Sequence, residues 1–194
     1  GILNLSSSFP ILFEKDAVCF GKGEVFKDAT NLSKKVMAVT LGTGLGACFI
    51  DKGVSIVSGE LVPADGEIYN MPYKEGIAED YVSVRGLLSA YKNLTAKSLS
   101  NGLELFNLAV AEDKDAIKVF EAMGENLAEV VIPWIQKFEA DSFIIGGKIA
   151  NASEFFLETF KKKVQESGLE IKVLVSTDNE VAALLGAASM LYAV

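Results

Sequence analysis

The sequence predicts an α/β fold with a mixed β-sheet flanked by helices, and three observations carry that expectation. Short apolar runs at 35–41 and 47–50 are joined by the glycine loop LGTGLG, and DKG at 51–53 is a second turn; this start reads as antiparallel pairing. The second half alternates short apolar runs with long amphipathic stretches, the pattern of strands and helices packed in layers. Half of the 194 residues are hydrophobic, enough to bury the core of one domain or one large lobe.

The elements follow in order. An apolar run at 10–13 reads as a strand end. The spacing predicts a helix over 14–26, with Asp16 near its start, where a carboxylate suits the helix dipole. Strands follow at 35–41 and 47–50, then a third strand or edge segment over 54–61. Residues 63–78, rich in Pro, Gly and polar side chains, read as a long ordered loop in which Tyr69, Met71 and Tyr73 serve packing. Helix resumes from Tyr81. Over 113–138, Ile117, Phe120, Met123, Leu127, Val130 and Val131 recur at helical spacing, and Pro133 is expected to kink the helix or mark a break. A strand at 141–147 ends in Gly146-Gly147. A helix over 153–165, capped by Ser153 and ended by Gly168, leads to a strand at 171–175. The final helix, 179–194, carries Ala182, Ala183, Gly186, Ala187 and Ala188, small enough to let it cross the Asp16 helix closely.

Charge and composition remove several function classes. The net charge of −8, from 26 acidic and 18 basic residues with no basic block, argues against nucleic-acid binding. A phosphorylated ligand is then expected to be held by backbone amides or metal. With no histidine there is no His-based triad, no ordinary pH switch and no usual catalytic zinc site. Cys19 and Cys48 lie in apolar surroundings and read as buried free thiols of a reducing cytoplasm, with a disulfide between them left open. No apolar run reaches membrane-spanning length, and the first residues lack the basic start of a signal peptide.

Three short signals point to a ligand. Gly42, Thr43, Gly44 and Gly46 interrupt an apolar region, and such a loop either turns N–H groups toward phosphate oxygens or is a tight hairpin. It is neither a P-loop, lacking Gly-Lys-Ser/Thr, nor a dinucleotide fingerprint, since no helix follows. Gly146-Gly147 stands at a strand's carboxyl end, where α/β sheets gather ligands, though a plain strand-to-helix turn has the same look. Asp16 alone reads as a surface carboxylate.

The order of these signals resembles the ROK family of bacterial sugar kinases and sugar-responsive repressors, and the resemblance covers nearly the whole chain. Glu14-Lys15-Asp16-Ala17 resembles the family's Glu-Asn-Asp-Ala, LGTGLG at 41–46 its second phosphate loop, and Gly66-Glu67-Ile68 its sugar-facing stretch. IIGGKIANA at 144–152 is similar to its adenosine-side motif, and EVAALLGAASM at 180–190 to its closing helix. The resemblance implies an actin-like (ribonuclease H-like) ATPase lobe. It implies Asp16 as catalytic base, phosphates of ATP·Mg²⁺ on Gly42, Thr43, Gly44 and Gly46, and adenosine near Gly146 and Gly147. Glu67 and Asn70 would hold the sugar, and Glu79 stands in for a missing carboxylate.

The chain also departs from the pattern. Tyr69 and Asn70 replace Gly-His, the cysteine-rich zinc motif is absent so no structural zinc is expected, Ser89 stands for a sugar-binding glutamate, and Lys15 replaces an asparagine. The Asp-x-Gly-Gly-Thr lobe is missing, so the whole of 1–194 is expected to be a C-terminal lobe, inactive by itself. The resemblance implies a homodimer, with the apolar face of 113–138 available for it. Three functions follow as expectations: an ATP-dependent sugar kinase, a sugar-sensing regulator without kinase activity, and, disfavoured by Gly66-Glu67, an actin-like filament protein.

Overall fold

Strand parity decides which layer each residue meets. The computed structural model describes residues 11–28, 31–32 and 34–191. In chain order its elements are α1 (Asp16–Lys27), β1 (Lys35–Leu41), β2 (Leu45–Asp51), β3 (Val54–Ser55), β4 (Pro72–Tyr73), β5 (Gly76–Ile77), α2 (Val84–Thr95), α3 (Gly102–Val110), α4 (Lys114–Phe138), β6 (Ser142–Gly146), α5 (Ser153–Glu166), β7 (Lys172–Val175) and α6 (Asn179–Ser189). Five strands make one mixed sheet in the order β3-β2-β1-β6-β7. β2 runs antiparallel to β1 and β3, while β6 is parallel to both β1 and β7. The antiparallel start and the parallel second half both match the sequence expectation.

Alternate residues of the strands feed two separate cores. Met37, Val39, Leu41, Leu45, Phe49, Phe143 and Ile145 face the larger one, built with α2, α3, α4 and α5. Val36, Ala38, Cys48, Ile50 and Ile144 face the other, built with Val18, Phe20 and Val25 of α1 and Ala182 of α6. Cys19 and Cys48 are buried free thiols. In the larger core Phe49 meets Phe138 and Trp134 edge-on, with centroids 5.2 and 6.4 Å apart.

The small residues of α6 have the purpose the sequence suggested. A Cβ on Gly186 would fall on the Cys19 carbonyl oxygen, and one on Gly23 would fall on that of Ala182. The two helix backbones therefore touch, and only glycine fits. At the other end of the sheet, Lys52 (φ 50°) and Gly53 (φ 80°) form the left-handed pair that a tight hairpin demands.

Several expectations are corrected. Residues 11–13 form no strand and are exposed, Phe13 at 91 %; Pro10 lies outside the described residues. The edge strand ends at Ser55, not 61. A short 3-10 turn, Lys148–Ala152, precedes α5, so Ala152 holds the cap position and Ser153 is already helical with no side-chain cap bond. α4 runs through Pro133 unbroken, capped by Asp113, whose carboxylate accepts from the Asp115 and Ala116 N–H groups at 3.0 and 2.8 Å. Its apolar face packs on the chain's own core, with Phe120, Leu127 and Val131 at most 2 % exposed. α3 was not anticipated, and 192–194 lie outside the described residues. Among the described residues no helix is long and apolar enough to cross a membrane.

Candidate functional site

A cleft of about 640 Å³ opens where the carboxyl ends of β1 and β6 meet the start of α1. Ligands of α/β sheets gather at this kind of strand end. Lys15, Asp16, Thr40, residues 41–47, Glu67, Tyr69, Glu79, Gly147 and Lys148 line it.

The loop 42–44 joins β1 to β2 as a hairpin connection, and it lines the cleft. Gly42 N–H donates to the Gly44 carbonyl at 3.0 Å, and Val84 N–H donates to the Gly42 carbonyl at 2.9 Å, tying the loop to α2. Leu45 N–H donates to Glu79 Oε2 at 3.0 Å. Among the described residues, the N–H groups of Thr43 and Gly44 have no protein acceptor. None of Gly42, Gly44 and Gly46 has a left-handed φ. A Cβ on Gly44 would stand 2.6 Å from Glu79 Oε2, and one on Gly46 2.9 Å from Ala17 Cβ. A Cβ on Gly42 would meet nothing within 4 Å.

Opposite the loop stands the acidic side. Asp16 is the first residue of α1 and exposed; its Oδ1 accepts from Ala17 N–H at 2.8 Å, and among the described residues Oδ2 accepts from none. Lys15, just before it, is not idle. Its Nζ donates to the Asp65 carbonyl at 2.9 Å and ion-pairs with Glu67. Asp65 (φ 57°) and Gly66 (φ 67°) make the left-handed turn that brings Glu67 round to this lysine. Asn70 is exposed and not among the lining residues; Tyr69 is. Glu79 faces the cleft with one oxygen on Leu45 N–H, and its Oε1 lies 3.6 Å from Arg85, the chain's single arginine, which also pairs with Asp80 at 2.7 Å.

The glycine pair divides. Gly146 is buried and lines nothing: a Cβ there would strike the Phe20 ring and Asn179 Oδ1. Gly147 (φ 87°) passes so close to β1 that a Cβ would meet Leu41 backbone atoms. Its N–H donates to Asn179 Oδ1 at 2.8 Å, which fixes the cleft wall to the start of α6. Sequence reasoning missed Lys148 and Tyr69 as lining residues. The signal for the lysine was its place directly after the glycine pair.

Among the described residues no group of three or more His, Cys, Asp or Glu stands together to hold a metal ion.

A model of the ROK family matches residues 3–193. The chain belongs to the ROK family. The glucokinase of Thermotoga maritima is 26 % identical over 207 residues, covering 93 % of this chain and 65 % of the relative, so this chain spans just under two thirds of that relative's length. The structure of Parabacteroides distasonis glucokinase superposes with a TM-score of 0.85 at 20 % identity, covering 96 % of this chain and 70 % of the other. A ROK family glucokinase from Streptomyces griseus, solved with glucose and AMPPNP, gives 0.78 at 21 % identity, with 95 % and 69 % covered. A ROK family transcriptional regulator, a homologue of E. coli MLC, gives 0.74 at 16 %, with 94 % and 53 % covered. This ROK chain therefore shares the mixed-sheet α/β fold of these ROK glucokinase structures, in keeping with the fold class the sequence implied.

Proposed function

We propose that this ROK chain is the nucleotide- and sugar-binding lobe of an ATP-dependent sugar kinase, and that phosphoryl transfer requires the longer, two-lobed protein. One observation supports the reading most. The exposed carboxylate of Asp16 and the unpaired Thr43 and Gly44 N–H groups line a single cleft, the two sides linked where Gly46 abuts Ala17.

Each part has a chemical role in that reading. Asp16 accepts the proton of the attacking sugar hydroxyl, for which its free Oδ2 is the available atom. The Thr43 and Gly44 amides hold phosphate oxygens, Gly42 leaves them room and Lys148 adds a cation. Gly147 borders the adenosine side. Glu67 and Glu79 receive sugar hydroxyls, the first held by Lys15 and the second by Leu45 N–H. Mg²⁺ would come with ATP and neutralise charge on its phosphates.

The test is ADP release by the full-length gene product with ATP, Mg²⁺ and a panel of hexoses and N-acetylhexosamines, beside Asp16→Asn. Sugar-dependent turnover that falls by about 10²–10⁴ in the variant is the expected result. The second reading is a sugar-sensing regulator. It is supported by the fold shared with the ROK family transcriptional regulator; the Lys15–Glu67 ion pair does not separate the two readings, since both require sugar binding. Sugar binding without turnover, unaffected by Asp16→Asn, would replace the kinase with the sensor.

A further inference from the structure

The acceptor side of the cleft hangs on residues 63–81, a segment with little regular structure. Its last part is a β-ribbon. β4 pairs with β5 through Pro72 and Ile77 and through Tyr73 and Gly76. The ladder then continues toward the cleft, with Ala78 N–H donating to the Met71 carbonyl at 2.9 Å and Glu79 N–H to that of Tyr69 at 3.0 Å. The stem of this ribbon therefore carries Tyr69 and Glu79, both lining the cleft.

The tip lies on α4. The Tyr73 hydroxyl stands 2.6 Å from Glu129 Oε2 and 3.0 Å from Asn126 Oδ1. Lys74 Nζ donates to Asn126 Oδ1 at 2.6 Å and sits 5.0 Å over the Tyr73 ring and 5.5 Å over that of Tyr81. The two tyrosines meet edge-on at 5.2 Å, and the Tyr81 hydroxyl accepts from Glu75 N–H at 3.3 Å. Burial, with the Glu129 carboxylate beside it, pushes the Tyr73 hydroxyl well above the ordinary phenol range, so it stays a donor. A two-stranded ribbon is marginal alone, and it needs such a hold. Tip and stem are four residues apart, roughly 13 Å along a strand.

We propose that Tyr73 is a positioning residue: by clamping the ribbon tip to α4, it sets where Glu79 and Tyr69 stand in the acceptor half of the cleft. Only the kinetic arm of its test rests on the sugar-kinase reading.

The test compares wild-type full-length protein with Tyr73→Phe, which keeps the ring, the edge contact and the cation but loses the O–H. Hydrogen exchange should quicken about tenfold at the Ala78 and Glu79 amides, the scale of one hydrogen bond to a charged group, and stay unchanged in β1 and β6. The KM for sugar should rise by a similar factor of about ten, with the KM for ATP unchanged. Glu129→Gln keeps an acceptor oxygen and should shift both readouts the same way by less. If Tyr73→Phe does not fold, Glu129→Gln carries both measurements. Unchanged exchange at Ala78 and Glu79, or an equal rise in both KM values, overturns the proposal. If the wild type phosphorylates no sugar, the kinase reading falls and exchange alone decides: faster stem amides uphold the clamp, unchanged ones overturn it.

Discussion

Gly42→Ala separates what the fold needs from what a ligand needs. The glycine has no left-handed φ, and an added Cβ would meet nothing within 4 Å. Replacing glycine where the backbone suits alanine stabilises a protein by about 0.4–1 kcal/mol, through the unfolded chain. Thermal unfolding of Gly42→Ala should therefore match or exceed the wild type. The methyl group would instead enter the cleft beside the Thr43 and Gly44 amides. Crowding a filled site by one methyl costs about 1–3 kcal/mol, so nucleotide affinity should fall about tenfold or more. Gly44→Ala is the control with the opposite logic. Its Cβ would stand 2.6 Å from Glu79 Oε2, so the carboxylate must move and release Leu45 N–H. That variant should lose about 1–2 kcal/mol of stability as well as nucleotide binding. Calorimetric titration with ATP·Mg²⁺ and thermal unfolding on the same preparations of the full-length protein read both quantities. A Gly42→Ala protein that binds nucleotide as tightly as the wild type would refute the assignment of this loop to phosphate.

Two further predictions concern the second core. Gly186→Ala forces a methyl onto the Cys19 carbonyl, where the obstacle is backbone and cannot swing aside, so urea unfolding should show a loss of about 3 kcal/mol at constant m. Burial pushes the Cys48 thiol from 9.0 up to about 12, so the native state keeps a proton that the unfolded chain sheds above pH 9. The stability this contributes is full below pH 9 and is lost as pH rises toward 12, with a slope of at most about 1.4 kcal/mol per pH unit. The difference between wild type and Cys48→Ala in chemical unfolding across that window isolates the term. A difference independent of pH would show that the thiol ionises alike in both states.

Local patterns made the strands and the long helix legible. The strands showed as short apolar runs and the 3.6-residue period exposed α4, because both signals are written within one element; which core Met37 and Val39 or Val36 and Ala38 would meet was not readable, since a run apolar on both faces has no alternation. α3 escaped: it is nine residues long, and its Asn101 cap, accepting from Glu104 N–H at 3.0 Å, lay in a stretch with no other mark. The ribbon escaped too, since pairs of two residues have no period. In the site, Asp16 and the 41–46 loop were readable as contiguous motifs. The Lys15–Glu67 pair was not, because the partners are 52 residues apart and meet only through the left-handed turn at Asp65 and Gly66. Asn70 illustrates the same limit: in an irregular segment, neighbours at 68, 69 and 70 point to core, cleft and solvent without any parity to predict it.

The glycines carry the last step. Gly23, Gly186, Gly146 and Gly147 are each explained by a neighbour that a Cβ would strike. Such residues mark close packing, and a glycine motif containing them is no proof of a ligand. Gly44 is partly explained in the same way by Glu79, and Gly46 by Thr40 and Ala17. Gly42 alone within the loop has neither a neighbour nor a strained φ to account for it, and it borders the two amides without acceptors. A glycine that the fold does not need, at the place where donors are unpaired, is a stronger pointer to a bound phosphate than the count of glycines in the motif.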